Sequence, residues 1–342
     1  MQRQITLSAG GIVALFGMVL LAGMRFGGEP PVLGTVSAVH AFQVSEQDDW
    51  VPSLLPGGQP DMQGIYVPDW GSAPAEHWTR EERQEYVELL VERYDIHSPG
   101  SALGNLVGGG GGSSEFSEGD LQGDLPADTV MVVDPDDGRI PYLPWAAAKR
   151  NYMKEHIYDR EEFISTRTRC FPAGLPRDMT MGSGYNGWQV VQAPGVVVVL
   201  TEWNHTYRTI RLDDQPLLGS DIKLWMGDSR GRWEGNTLVV DSRNFNDKTW
   251  VVGNRNGDGP SNNAFHSDAL RVRERFTIVD SDRIDYEATV EDRNVFSRPW
   301  TIRKRLWKRA PEDYVLFEYA CHEGNVGWEN IKANLFDNSS AR

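Results

Sequence analysis

Alternating apolar and polar positions from residue 188 onward predict a long run of β-strands. The runs lie near 188–193, 196–201, 205–212, 222–227, 237–243, 269–278, 284–292, 299–308 and 314–320. Most connections between them are short, apart from an Asn/Gly/Asp-rich stretch at 246–266. Antiparallel strands without intervening helices predict a mainly β fold, either an up-and-down barrel or a strongly curved meander, with a lipocalin-like architecture.

Tight turns organise the middle of this run, at residues 227–246 with the sequence GDSRGRWEGNTLVVDSRNFN. Residues 228–231 have the Asp and Gly positions of a type I turn, and a short strand is predicted after it. Gly235-Asn236 separates two strand-like runs and predicts a hairpin, because both residues accept positive φ at little cost. The hairpin sets Trp233 opposite Leu238.

Side chains around this hairpin are also candidates for ligand contact. Asp228, Arg230 and Glu234 form a polar set that can face a ligand. Trp225 and Trp233 belong to the same candidate site, since tryptophan lines apolar and sugar-binding clefts as well as β-sheet cores. A purely structural hairpin is the alternative for the three charged residues, and a position in the core or on a strand-facing surface is the alternative for the tryptophans.

The register of two later strands follows from their apolar faces. Apolar residues recur at every second position on both strands, so pairing Ile278 with Ile284 brings the two apolar faces together. The same register sets two pairs of opposite charges across from each other, Arg275 with Glu287 and Arg271 with Glu291. Such pairs support the register, although the apolar faces decide it.

This register turns Glu274 toward the interior of the predicted barrel. Lys304 shares a face with Trp300 and Ile302 on the following strand, so it is predicted to point inward as well. A lone buried carboxylate is costly and has to be paired, protonated or hydrated. Glu274 and Lys304 are therefore the catalytic candidates, for proton transfer or for holding a polar ligand group. A structural ion pair or a hydrated site at the barrel mouth is the alternative.

Three histidines of the strand-rich half, His205, His266 and His322, are further candidates for ligand contact, together with Glu323, which follows His322. Two histidines and a carboxylate can bind zinc or iron, but no HExxH or comparable spacing supports such a site. We therefore predict neither a metal site nor a cofactor. The alternative for each histidine is a hydrogen-bonded loop residue.

Residues 1–44 are typical of an export segment. Arg3 precedes an apolar run over residues 5–24, which is long enough to span a bilayer as a helix. The run predicts either a signal peptide, cleaved near Ala22 or Ala41, or an uncleaved anchor in the inner membrane. Both alternatives place the rest of the chain outside the cytoplasm, as a periplasmic or secreted protein.

Residues 45–165 predict an irregular wrapping region that contains two helices. Thr79-Arg-Glu-Glu82 is a capping box, and the helix that it opens is predicted to end near Tyr94. A second helix is predicted at 144–164. Between them, five consecutive glycines and an acidic stretch predict a flexible loop at 108–125.

The predicted antiparallel β domain, residues 166–342, contains the only two cysteines of the chain, Cys170 and Cys321. In an exported protein an even number of cysteines predicts a disulfide, which here joins the start of the domain to its end. Two reduced, buried cysteines are the alternative. A four-cysteine zinc or iron–sulfur site is excluded.

The stretch 227–246 resembles a family of exported bacterial proteins of unknown function. The resemblance extends to residues 60–65, 134–141, 169–177, 274–276 and 318–325, the last with the sequence EYACHEGN. It covers nearly everything after the N-terminal segment and implies export and a shared β scaffold, but no mechanism. The acidic, glycine-rich insert at 108–125 departs from the family.

The net charge of the chain limits the kinds of partner that it can bind. The formal net charge of −15 argues against nucleic acid, because a phosphate backbone needs a basic surface. The first hypothesis is therefore an extracytoplasmic binding or accessory protein, for a small apolar or aromatic molecule or for docking on an envelope protein assembly. The second is a hydrolase, lyase or isomerase with an inward Glu–Lys or Glu–His site. The third is a structural surface protein with a filled barrel.

Overall fold

The computed structural model describes residues 50–68, 79, 81–82, 85, 88–89, 92, 131–157, 159–180, 187–252, 264–325, 328–329 and 332, with the backbone alone at 304–306. Asp49–Arg342 forms one compact unit. The predicted signal peptide or anchor at 1–44 and the predicted loop at 108–125 lie outside the described residues.

Ten β-strands of the described residues form one sheet that closes into a barrel. In chain order they are β1 (Gly64–Pro68), β2 (Val132–Asp134), β3 (Trp188–Ala193), β4 (Val196–Thr201), β5 (Tyr207–Arg211), β6 (Asp228–Glu234), β7 (Thr237–Arg243), β8 (Arg271–Ile278), β9 (Arg283–Glu291) and β10 (Trp300–Arg309). Their order in the sheet is β1-β3-β4-β5-β6-β7-β8-β9-β10, and β1 also pairs with β10, which closes nine strands. The tenth, β2, pairs with the start of β10. The predicted mainly β barrel is confirmed.

The predicted hairpin registers are confirmed. Trp233 pairs with Leu238 across β6 and β7. In the β8–β9 pair, Ile278 lies opposite Ile284, and the two predicted charge pairs, Arg275 with Glu287 and Arg271 with Glu291, lie opposite each other. The inward residues of β8 alternate with exposed or half-exposed ones, as a period of two requires.

One strand pair departs from the antiparallel pattern. β5 and β6 run parallel where Ile210 pairs with Ser229, because the connection between them is a long loop rather than a tight turn. The strand predicted at 222–227 is wrong, since only a single bridge from Leu224 to Phe245 forms there. The type I turn predicted at 228–231 is also wrong, because these residues pair with β7 as the first half of β6.

The strand predicted at 314–320 is not formed. Its backbone amides bond to side chains rather than to a neighbouring strand: Phe317 donates to Glu202 and Tyr319 donates to His205. The segment therefore lies against the end of the barrel without extending the sheet.

Two α-helices are described over their full extent, α1 at Pro144–Glu155 and α2 at Arg177–Thr180. α1 ends before the predicted residue 164, because the chain becomes extended at Arg160 and then forms a separate 3-10 turn at Glu161–Phe163.

The predicted capping box near the N-terminus is confirmed. The Thr79 amide donates to Glu82 Oε2 at 2.9 Å, and the Glu82 amide donates to Thr79 Oγ1 at 3.2 Å. Glu82 also receives two hydrogen bonds from Arg139, at 3.0 and 2.8 Å. The rest of that predicted helix is described only at single positions, which are helical at residues 81, 82, 85, 88, 89 and 92.

Large apolar side chains occupy the barrel interior, and α2 covers one end of it. Trp188 stacks on Trp307 at 4.7 Å, and both rings are almost fully buried. Their indole N–H groups donate to the backbone of α2, at the carbonyls of Asp178 and Met179. Further fully buried side chains include Tyr66, Leu175, Phe245, Phe276, Tyr286 and Trp300.

Charged side chains cover the outer face of the same strands. Asp241 receives hydrogen bonds from Arg273 at 2.8 Å and from Arg232 at 3.2 Å, and Arg303 pairs with Glu287 at 2.7 Å. These groups are partly exposed, so the face that carries them is hydrated. Within the described ranges, no helix combines the length and the apolar character needed to cross a membrane.

Candidate functional site

Glu274 lies inside the barrel, as predicted, and is fully buried. It is held by Arg208 of β5, which donates to both carboxylate oxygens, with 2.9 Å between Nη1 and Oε1. The Tyr286 hydroxyl donates to Oε1 at 2.8 Å. Burial, reinforced by the Glu274 carboxylate, raises the pKa of Tyr286 well above its usual value, so Tyr286 is a neutral donor.

Hydrogen bonds to two serines complete the surroundings of the Arg208 guanidinium. Nε donates to Ser229 at 3.2 Å, Nη2 donates to Ser242 at 2.9 Å, and the two serine hydroxyls bond each other at 2.9 Å. A buried ion pair persists only when its remaining polar atoms are satisfied in this way. The arrangement favours the structural alternative for Glu274. Lys304 pairs with Tyr286 in the backbone ladder, and its side chain lies outside the described part of the chain.

Buried charge continues from this pair toward the rim of the barrel. Asp178 of α2 accepts a hydrogen bond from Thr201 at 2.9 Å. Burial raises the pKa of Asp178, and three guanidinium groups, those of Arg167, Arg208 and Arg177, oppose that rise. Arg167 is the member of this group that lies at the rim.

A C-terminal segment packs across that rim; we call residues 310–325 the strap. Glu202, which is 3% exposed, accepts hydrogen bonds from the Phe317 amide at 2.9 Å and from the Tyr314 hydroxyl at 3.0 Å. The same carboxylate accepts the Gly187 amide at 3.0 Å. Burial, reinforced by the Glu202 carboxylate, raises the pKa of Tyr314 to about 12. One buried carboxylate thus fixes the strap to the barrel.

The predicted disulfide between Cys170 and Cys321 is confirmed and ties the strap to the segment before α2, with 5.6 Å between the Cα atoms. Asn325 of the strap donates to the Thr168 carbonyl at 3.0 Å, and Asn204 donates to the Cys170 carbonyl at 2.8 Å. Cys170, Asn204 and the neighbouring His205 all have positive φ, at 61°, 55° and 48°. Non-glycine residues in this conformation are strained, and such residues cluster at functional sites.

An open pocket of about 410 Å³ lies between the strap and the barrel rim, which we call the rim pocket. The barrel side of its lining consists of Arg167, Thr168 and Trp203. The strap contributes residues 318–321 and 323–325, including the disulfide-bonded Cys321. All of these strap residues belong to the EYACHEGN motif of the sequence.

The rim pocket combines a buried cation, two rings and two carboxylates. The Arg167 guanidinium lies 3.7 Å from the Trp203 ring centroid and the residue is 3% exposed. The Trp203 and Tyr319 rings are 4.4 Å apart. Glu318 and Glu323 are exposed members of the lining. In the part of the chain that is described, the buried Trp203 Nε1 has no hydrogen-bond acceptor.

The structure does not bring the predicted histidine and glutamate candidates together in one site. His205 Nε2 accepts the Tyr319 amide at 2.9 Å and so positions the strap. Glu323 lines the rim pocket, whereas the exposed His322 beside it is not part of the lining. Among the described residues, no group of three or more His, Cys, Asp or Glu side chains is arranged to hold a metal ion.

His266 is buried and is not part of the rim-pocket lining. Its Nδ1 is 2.8 Å from the Ser267 carbonyl, which can only accept, so Nδ1 carries the proton and Nε2 accepts from Thr249 at 2.8 Å. Burial lowers the pKa of His266, against the opposing effects of the Ser267 carbonyl and Asp292. The ring is therefore neutral and hydrogen-bonded on both nitrogens.

Two candidates within the 227–246 stretch, Asp228 and Arg230, hold the loop between β5 and β6. Asp228 accepts the Leu218 amide at 2.7 Å and pairs with Arg230 at 2.6 Å. Arg230 also donates to two carbonyls of the loop, at Gln215 and Pro216. The structure thus brings Asp228 and Arg230 together, but not at the rim pocket.

The two tryptophan candidates also lie apart from the rim pocket. Trp225 stacks face to face on Phe171, with 5.0 Å between ring centroids. Trp233 is partly buried and packs against the core.

Sequence reasoning missed the rim residues Arg167, Trp203 and Tyr319 and the buried Arg208. A signal for Arg208 was present, because it alternates with the apolar Ile210 in a strand and therefore shares its inward face. The other three flank the cysteines or the end of β4, where no local pattern indicates a pocket.

No protein-family model, curated protein or solved structure matches this chain.

Proposed function

We propose that this protein is an extracytoplasmic binding protein that holds a small polar ligand in the rim pocket. The observation that carries the proposal is the construction of the pocket: two walls from distant parts of the chain, fixed by Glu202 and by the Cys170–Cys321 disulfide, border an open pocket of about 410 Å³. Small-molecule sites usually measure roughly 300–1,000 Å³, so the volume suits one small molecule.

The filled interior supports a site at the rim rather than inside the barrel. Trp188, Trp307 and Tyr286 occupy the centre, and Glu274 is taken up by Arg208. The same filling favours the structural surface protein as a second candidate function. Binding of a ligand at the rim separates the two.

Two features support an extracytoplasmic location, as a periplasmic or secreted protein with or without an inner-membrane anchor. A disulfide that fixes the fold persists in oxidising compartments and is rare in the cytosol. The apolar run at residues 5–24 has the length and composition of an export segment.

Native mass spectrometry of the full chain tests the proposal. The purified protein is screened against small-molecule pools, and bound masses are compared between the natural chain and Ala320→Trp, which places an indole in the pocket wall. Glu312→Trp adds the same ring at an exposed strap position outside the lining. We expect Ala320→Trp to abolish binding and Glu312→Trp to preserve it. A ligand that both variants retain, or failure of every pool to bind, contradicts the proposal and favours the structural protein.

A further inference from the structure

We infer that the strap is a docking edge for an extended segment of another protein, one in which lysine or arginine alternates with apolar residues. Such a segment adds to the strap as a further strand, by β-augmentation. The inference goes beyond the small-molecule site proposed above. It rests on three properties of the strap: its backbone hydrogen bonds, its exposed apolar side chains and its charge.

The backbone of the strap is bonded to the barrel along one edge. The amides of Phe317 and Tyr319 donate to two side chains of the barrel rim, at 2.9 Å each. Amides two residues apart that point the same way are typical of an extended chain, whose intervening amides point to the opposite edge. Among the described residues, the amides of Leu316 and Glu318 have no hydrogen-bond acceptor. The outer edge therefore carries the unpaired groups to which another strand binds.

Two large apolar side chains of the strap are exposed. Val315 is 60% exposed and Phe317 is 65% exposed, and the period of two places both on one face of the extended segment. The opposite face lies on the barrel. The Tyr314 hydroxyl bonds to a carboxylate of the rim at 3.0 Å, and Leu316 lies so close to Gly187 that a Cβ there would be 2.5 Å from it. The exposed face thus offers a bound strand apolar surface to cover.

The charges of the strap favour a basic partner. The strap contains no Lys or Arg and has four exposed carboxylates, those of Glu312, Asp313, Glu318 and Glu323. Among the described residues, none of the four has an ion pair or a side-chain hydrogen bond. Carboxylates on the outer face of the strands differ in this respect, as Glu287 is paired with Arg303. Unpaired carboxylates attract a positively charged segment and repel an acidic one.

The same charges argue against a second copy of this chain as the partner. Pairing two straps would bring the carboxylates of both copies together, and like charges across an interface are unfavourable. The net charge of −15 acts in the same direction on the two whole chains. A partner of opposite charge is therefore favoured over self-association.

Fluorescence anisotropy with the purified full chain tests this surface. The probe is a labelled peptide of about eight residues in which Lys alternates with Val, long enough to cover the strap edge. One comparison peptide has Glu in place of Lys. Another has N-methyl groups on all backbone nitrogens, which removes the donors and keeps the charge. We expect the Glu peptide not to bind and the methylated peptide to bind at least about tenfold more weakly than the probe.

Removing an exposed ring tests the apolar contact. Phe317→Ser changes a side chain that needs no repacking, while its backbone amide can still bond to Glu202. We expect this variant to bind the probe at least about tenfold more weakly, because the ring is covered only in the complex. Leu54→Ser is the control, since Leu54 is 61% exposed and lies outside the strap. It is expected to leave the affinity unchanged.

Charge variants separate docking on the strap from attraction to the whole acidic chain. Glu312→Gln/Asp313→Asn removes two strap carboxylates that do not line the rim pocket, and is expected to weaken the probe about three- to tenfold. Asp136→Asn/Asp214→Asn removes the same charge at exposed positions outside the strap. This control is expected to change the affinity less than about twofold, because distant exposed charges are screened by salt.

Four results would overturn the inference. The first is failure of the probe to bind even at low salt, and the second is undiminished binding of the methylated peptide. The third is equal weakening by the strap variants and their controls, which would show that the probe is attracted to the acidic surface in general. The fourth is a concentration-dependent dimer that Phe317→Ser abolishes, since the partner would then be a second copy of the chain.

Discussion

Arg208 and Glu274 form an ion pair that the barrel wall encloses completely, although 66 positions separate them in the chain. The pair links β5 to β8 across the interior, and Ser229, Ser242 and Tyr286 satisfy its remaining hydrogen bonds. The attraction between the two charges adds little net stability. Either charge, buried without the other, would destabilise the fold strongly.

Removing one member of this pair is therefore expected to destabilise the protein strongly. Glu274→Gln leaves a buried guanidinium without its counter-ion, and we expect the free energy of unfolding to fall by about 3–5 kcal/mol. Urea denaturation followed by tryptophan fluorescence measures it. The exposed pair of Arg303 and Glu287 is the control, where Glu287→Gln is expected to cost less than about 1 kcal/mol. Similar losses at both sites would show that the interior pair is hydrated.

Breaking the disulfide is expected to destabilise the chain and to free the strap. Cys170 and Cys321 are 151 positions apart, and closing a loop of that length stabilises by about 5 kcal/mol in the chain-entropy model. The double variant Cys170→Ala/Cys321→Ala should lose stability by this order and show faster proteolysis within residues 310–325. Dithiothreitol should reproduce the loss in the natural chain and have no effect on the double variant. Unchanged proteolysis would mean that Glu202 and His205 hold the strap unaided.

Acidification is expected to weaken the fold through His266. Burial holds the pKa of this ring below its ordinary 6.5, so below about pH 6.5 the unfolded chain binds a proton that the folded chain does not. The free energy of unfolding should therefore decrease as the pH falls from about 6.5 toward the folded pKa. Above about pH 6.5 His266 should cause no change of stability with pH. His266→Gln should remove that part of the slope in denaturation measured between pH 7.5 and 5.5. His322→Gln, at an exposed position, should retain it.

Gly174 is expected to tolerate no side chain. Its φ is +88°, and a Cβ would lie 2.3 Å from the Thr249 hydroxyl oxygen, which is buried. Gly174→Ala combines backbone strain with overpacking, so we expect a loss of more than about 2 kcal/mol in thermal or urea unfolding. Gly195→Ala has a φ of +76° but open space around it, and should lose only about 1 kcal/mol. Equal losses at the two glycines would mean that Thr249 moves aside.

The period-two pattern of apolar residues is sufficient to predict the strands that are joined by tight turns. β3 and β4 begin and end at the predicted residues, and Ile278 pairs with Ile284 as predicted. In each case a short turn and a period of two leave one register that buries the apolar face. The inward position of Glu274 follows from that register, and so could be predicted before its partner was known.

Elements fixed by distant contacts could not be predicted in this way. Residues 228–231 have the composition of a turn, but Asp228 binds Leu218 and Ser229 binds Arg208, and these contacts hold them in a strand. The rim pocket is a stronger case, because its two walls are joined by contacts between residues that are far apart in the chain, among them those of Glu202 and His205 and the disulfide. The cysteines alone indicated that the start and the end of the domain come together.

The pairing of β1 with β10, which closes the barrel, can form only when synthesis of the chain is nearly complete. β1 pairs with β3 on one side and with β10 on the other, and the second contact joins Tyr66 to Arg309, which are 243 positions apart. Until the last strand has emerged, two rows of unpaired amides and carbonyls stay available to other molecules, and contacts so remote along a polypeptide form slowly. We therefore expect a chain that stops before position 300 to expose an open sheet edge and to aggregate rather than fold as a shorter protein.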